Sequence, residues 1–106
     1  MSGPVRDLSP EDVARRLTAG EVVLVDVREP RETELERIAG AVIVPLSSFD
    51  PGDLPDPGTR EVVFFCASGM RSIKASEFAQ AAGLPYDAHM AGGLKAWKAA
   101  GLPTES

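Results

Sequence analysis

Two short runs constrain this chain more than any other feature. Val22–Asp26 (VVLVD) and residues 62–65 (VVFF) are built almost wholly of β-branched, aromatic and other apolar residues. Neither alternates between apolar and polar positions, so each predicts a strand buried on both faces. Strands of that kind belong to parallel sheets, which need helical cover above and below. The segments between the runs supply it. Ser9 can cap a helix, Pro10 suits its first position, and Glu11 and Asp12 suit the positive end of its dipole. Val13 and Leu17 then share one face, and Gly20 fits as the stop. Strands and helices alternate along the chain, which predicts an α/β domain with a mostly parallel central sheet.

The other segments fit that frame. Residues 1–8 are a short lead that can form an edge strand. Residues 29–37 are dense in charge and predict one short helix with a solvated outer face. Residues 41–44 predict a short strand. Residues 47–59 hold three prolines and two glycines, so they read as a surface loop, pinned by Phe49 and Leu54. The spacing predicts a helix over 72–82 with Ile73, Ala75, Phe78, Ala79 and Ala82 on its inner face. A last strand over 86–90, a turn at Gly92 and Gly93, and a helix over 94–100 with Trp97 inward complete the chain.

A length of 106 residues predicts one domain, spanning 1–106. The net charge of -5 argues against nucleic acid or an anionic membrane as the main partner. It also makes any anion site a local feature working against the global field. One cysteine and one histidine supply neither an internal disulfide nor a structural metal set, and no cofactor is implied. The first residues, MSGPVRDLSPED, lack the basic and apolar regions of a signal peptide. A monomer in the reducing cytoplasm is therefore the expectation.

The single cysteine, Cys66, stands where the 62–65 strand ends and a helix is about to begin. Residues 66–72 read CASGMRS. Gly69 takes backbone angles that other residues resist. A loop of this kind can curl so that its N–H groups point inward as an anion nest. The helix start and Arg71 add positive potential. A thiolate in that cradle is stabilised, so Cys66 is expected to ionise more readily than free cysteine and to act as a nucleophile toward anionic substrates. Ser68 and Ser72 can donate hydrogen bonds to a bound anion, although Ser72 can equally cap the helix. Met70 can line the mouth or pack, and packing is the expectation. Asp26, Arg28 and Glu32 are expected to be structural, with Arg28 paired to Glu32 and Asp26 holding loop N–H groups. His89 is the only imidazole base available; a thiolate stabilised by N–H donors needs none, so a structural role is expected.

Four segments resemble the rhodanese family of sulfurtransferases: DVREPRE (26–32), IAGAVIVP (38–45), CASGMRS (66–72), and AGGLKAW with the GLP that follows it (91–103). Glu36 and Arg37 stand where the family often has Gly-His. The resemblance implies a rhodanese-like three-layer α/β domain, its sheet flanked by helices, and transfer of sulfane sulfur. It implies Cys66 as the residue that becomes a persulfide. The backbone of Ala67, Ser68, Gly69, Met70, Arg71 and Ser72 would cradle a donor such as thiosulfate. The acceptor implied is cyanide or a thiol, with a thioredoxin-like or sulfur-carrier protein among the candidates. Three other readings stand beside this one. A phosphatase or arsenate reductase on the same fold would want C-x5-R, whereas Cys66 to Arg71 spells C-x4-R. A non-catalytic binding module would be expected to lack the loop cysteine. A redox-sensing thiol would want a resolving cysteine, and the chain has no second one.

Overall fold

The computed structural model describes residues 3–106, so the first two residues of the N-terminal lead lie outside it. Five strands form one sheet: β1 (Arg6–Leu8), β2 (Val22–Asp26), β3 (Val42–Ile43), β4 (Glu61–Phe65) and β5 (Ala88–Met90). Their order across the sheet is β1-β5-β4-β2-β3, and every pairing is parallel. The chain leaves β2 in one direction to reach β3, and leaves β4 in the other to reach β5. In sheets wound like this, the crevice for ligands opens beyond the carboxyl ends of the central strands.

Alternation along β2 and β4 divides the core into two layers. Val22, Leu24, Val63 and Phe65 face α1 (Pro10–Thr18) and α4 (Gly93–Ala99), packing with Val13, Leu94 and Trp97. Val23, Val25, Val62, Phe64 and Cys66 face the other way, against Ala75 and Ala79 of α3 (Met70–Ala81). The result is the three-layer α/β architecture expected from the two apolar runs. Helix α1 starts as the sequence predicts: the Ser9 hydroxyl accepts the Asp12 N–H at 3.1 Å, and Pro10 holds the first position. Residues 47–59 include two short 3-10 turns, and Phe49 and Leu54 pin them to the core. Phe49 meets the Phe64 ring edge-on, with centroids 6.1 Å apart. No helix among the described residues is long and apolar enough to cross a membrane.

Three expectations change. Helix α3 begins at Met70, two residues earlier than its apolar spacing suggests, because Gly69 adopts a left-handed φ of 106° and serves as its N-cap. Its buried stripe is Ser72, Ala75, Ser76 and Ala79, while Ile73, Phe78 and Ala82 are exposed. Small residues on that stripe let the helix lie close to the sheet, and both serines are hydrogen-bonded: Ser76 donates to the Tyr86 carbonyl at 2.7 Å. The charged segment forms only one helical turn, α2 (Pro30–Thr33). Finally, Arg28 pairs with Asp26, not with Glu32. Its guanidinium donates to both Asp26 oxygens and, at 2.7 Å, to the Glu36 carbonyl, tying the end of β2 to the chain beyond α2.

Phe64 is fully buried in the layer that carries Cys66. Phe64→Ala should therefore cost about 3–5 kcal/mol of unfolding free energy. Urea denaturation followed by Trp97 fluorescence, the only tryptophan in the chain, measures this directly.

Candidate active site

Cys66 follows the last residue of β4, on the face that α3 covers. The residue is 1% exposed. Just beyond it the chain curls through Ala67, Ser68 and Gly69 into α3. This curl brings the Gly69 N–H to 3.1 Å from Sγ, as a donor. The Ser72 hydroxyl lies 3.6 Å from Sγ, from the third residue of the helix. The thiol thus sits at the N-terminal end of a twelve-residue helix, where free N–H groups and the dipole favour negative charge.

A second helix fixes the first two peptide groups of the loop. The carbonyls of Cys66 and Ala67 accept the N–H groups of Leu94 and Lys95, in the first turn of α4, at 2.8 and 3.0 Å. With the Ala67 carbonyl drawn toward α4, the Ser68 N–H of the same peptide group is turned toward the sulfur. This clasp needs a residue without a side chain at Gly93. A Cβ there would lie 2.3 Å from the Cys66 carbonyl oxygen and 2.7 Å from the Ala67 carbonyl carbon, both backbone atoms.

Burial pushes the Cys66 thiol up. The Ser72 hydroxyl and the backbone N–H groups of Ser72, Gly69 and Ser68 pull it down, and together they win, so the thiol lies below its ordinary range. Arg71 contributes less directly than the sequence suggests. Its guanidinium forms a bidentate pair with Glu32 of α2 at 2.6 and 3.0 Å. The hydrogen bond from Arg71 holds the Glu32 carboxyl down at about 2, from an ordinary 4.5. Glu32 in turn accepts the Glu29 N–H, so the pair locks α2 against the start of α3. The donors at the sulfur are amides and a hydroxyl; the cation stands at the rim, already paired.

Of the loop residues singled out in the sequence, Gly69 and Ser72 are buried at the sulfur, Ala67 and Arg71 are half-buried, and Ser68 and Met70 are exposed. Ser72 is not the cap of α3; Gly69 is. Met70 does not pack. It is 79% exposed and flanks the mouth of the loop. Two residues named from the sequence take partners that it does not indicate. Glu32 pairs with Arg71, not with Arg28, and a pairing across 39 positions leaves no local pattern. His89 bonds Ser72 Oγ through Nδ1 at 2.8 Å and Asp7 through Nε2 at 2.6 Å. Its only signal in the sequence was being the single histidine.

The site is thus a buried thiol that meets amide donors at the carboxyl end of a central parallel strand. The rhodanese-like domain family matches residues 9–100. A sulfurtransferase of Allochromatium vinosum is 33% identical over 93% of this chain and 94% of its own. An uncharacterised protein of Synechocystis is 40% identical over 92% of this chain. The chain spans about half of that relative's length (54%), and 24% of a probable adenylyltransferase/sulfurtransferase of Mycobacterium tuberculosis that is 32% identical. Among solved structures, a rhodanese-related protein from Thermoplasma volcanium superposes with a TM-score of 0.80 at 27% identity, covering 94% of this chain and 97% of that one. The chain belongs to the rhodanese-like family, and its relatives include sulfurtransferases.

Two outcomes test this geometry. Gly93→Ala should displace the loop carbonyls, lower the unfolding free energy by about 1–3 kcal/mol, and move the Cys66 alkylation midpoint toward that of free cysteine. Glu32 has a depressed carboxyl, so its contribution is present above its unfolded value of 4.5 and is lost as pH falls toward about 2. Glu32→Gln should lower stability near neutrality by about 1 kcal/mol. It should also flatten the acid limb of a stability-against-pH curve between those values.

Proposed function

We propose that the protein is a sulfurtransferase that carries sulfane sulfur on Cys66, taking it from an anionic donor such as thiosulfate and passing it to cyanide or a thiol. The observation that carries this reading is the ring of donors at Sγ. Amides of Gly69, Ser68 and Ser72, with the Ser72 hydroxyl, offset the burial of the sulfur and favour its ionised form. The Cys66 thiolate attacks the outer sulfur of thiosulfate. A new S–S bond forms, the donor's S–S bond breaks, and sulfite leaves with its electron pair. The anionic persulfide that remains needs the same donors the thiolate did. Attack by the acceptor on the outer sulfur breaks the new bond and returns the thiolate. Donors preset where charge develops are usually the largest source of catalysis in such a site. A covalent intermediate of this type gives ping-pong kinetics.

Two features favour sulfur over phosphate. The loop closes tightly, with the Gly69 amide 3.1 Å from Sγ, which suits one protruding atom better than a tetrahedral group. Arg71, the residue that would clamp phosphate oxygens, is already held in a bidentate pair by Glu32. The exposed rim at Ser68 and Met70 leaves an approach for a thiol acceptor, whether a small molecule or a thiol on a thioredoxin-like or sulfur-carrier protein.

Intact-mass measurement after incubation with thiosulfate tests the proposal. The wild type should gain the mass of one sulfur atom, cyanide should remove it, and Cys66→Ala should gain none. A wild type that stays unmodified, or a Cys66→Ala protein that gains the same mass, sinks it.

A further inference from the structure

A second row of polar groups reaches the thiol from the β1 edge of the sheet. It runs from Cys66 Sγ to Ser72 Oγ (3.6 Å), from Ser72 Oγ to His89 Nδ1 (2.8 Å), and from His89 Nε2 to Asp7 Oδ1 (2.6 Å). The topology assembles it. His89 is the register partner of Phe64 on β4 and of Asp7 on β1, so its side chain shares the face that Cys66 and α3 occupy. Ser72 comes from the buried stripe of α3. Cys66, Ser72 and His89 are all buried, whereas the Asp7 side chain is 71% exposed. The row links a thiol closed off from water to a carboxylate that is in it.

We propose that His89, oriented by Asp7, is the proton acceptor that prepares Cys66 for attack, working through the Ser72 hydroxyl. His89 and Asp7 are then positioning residues, and the inference rests on the reading of Cys66 as the sulfur-carrying nucleophile. The Asp7 carboxylate only accepts, so Nε2 carries the hydrogen that faces it and Nδ1 is the accepting nitrogen of the neutral ring. The Ser72 hydroxyl has one hydrogen. Its nearest acceptors are His89 Nδ1 at 2.8 Å and the Gly69 carbonyl at 3.3 Å, and the closer takes it. A lone pair of Oγ is left for the thiol hydrogen.

Ionisation moves two protons and no heavier atom. The Sγ proton passes to Oγ as the Oγ proton passes to Nδ1. The products are a thiolate, a hydroxyl that now donates to it, and an imidazolium whose Nε2–H still faces Asp7. The same hydroxyl therefore serves the thiol in one state and the thiolate in the other. Once the thiolate has formed its S–S bond, the imidazolium gives its Nε2 proton to water at the exposed Asp7 end, and the hydrogen left on Nδ1 donates to Ser72 Oγ, whose own hydrogen faces the sulfur. Around His89, β1 contributes Asp7, β4 contributes Phe64, and α3 contributes Ser72. The charged residues beside this pair in sequence, Arg6 and Asp87, pair with each other, and Arg6 also pairs with Glu61. A merely structural imidazole needs no contact with the one hydroxyl that touches the thiol.

Alkylation of Cys66 by iodoacetamide across pH tests the relay without any sulfur donor. His89→Asn should slow alkylation about tenfold below neutrality, moving the midpoint up by about one pH unit and leaving the alkaline plateau unchanged. Asp7→Asn, a change at an exposed side chain that should leave the fold intact, should slow it about threefold in the same range. His89 is the only histidine, so its imidazole resonances are unambiguous in NMR. Blocking Cys66 should shift their titration. Unmoved midpoints in the folded Asp7→Asn and His89→Asn proteins overturn the relay, as does a His89 titration that is the same with free and blocked Cys66. If the profiles shift but thiosulfate adds no sulfur, the relay stands and the sulfur-transfer reading falls. If sulfur is added normally and the profiles do not shift, the reverse holds.

Discussion

The structure hangs on a backbone clasp: two N–H groups at the start of α4 bonded to the carbonyls of Cys66 and Ala67. A peptide group has one donor side and one acceptor side, so holding the Ala67 carbonyl outward turns the Ser68 N–H inward. A buried thiolate without such amides would face a large desolvation cost. The clasp also accounts for glycine at position 93, where a Cβ would overlap the backbone it must bond. The N-terminus of α4 thus acts on the thiol at second hand, through the orientation it imposes on residues 66 and 67.

Charge is handled differently from what a basic loop motif suggests. Arg28 is buried with Asp26, and Arg71 is paired at the rim with Glu32. Both pairs secure the segment around α2 against the carboxyl ends of β2 and β4. The potential at Sγ comes mainly from amides, a hydroxyl and a helix end, with the paired Arg71 charge acting from further off. Amides held by the backbone need no reorganisation as charge develops on the sulfur. A chain with a net charge of -5 can thereby hold an anion in a small region without a free cation at its centre.

Much of the fold was legible because the signals are local. Residues 22–26 and 62–65 are apolar throughout, and the structure places them side by side as β2 and β4 in the middle of the sheet. The helix start at Ser9 and the position of Cys66 at a strand end were equally plain. Helix α3 was misread because its inward stripe is Ser72, Ala75, Ser76 and Ala79, and counting apolar residues promotes Ile73 and Phe78 instead. Small polar residues whose hydroxyls find partners are cheap to bury, and those partners, His89 on β5 and the Tyr86 carbonyl just ahead of it, lie outside the helix.

From its residues alone the chain determined which segments form strands, which form helices, and that its single thiol stands where the two meet. These follow from periodicity and backbone preference within a few neighbouring positions. Tertiary structure decided which partner each charged or polar group received: Asp26 for Arg28, Glu32 for Arg71, Ser72 and Asp7 for His89. Those pairings depend on strand order and register, which bring together positions up to 82 residues apart. Periodicity reports which face of an element is buried, but not which neighbour will lie against it.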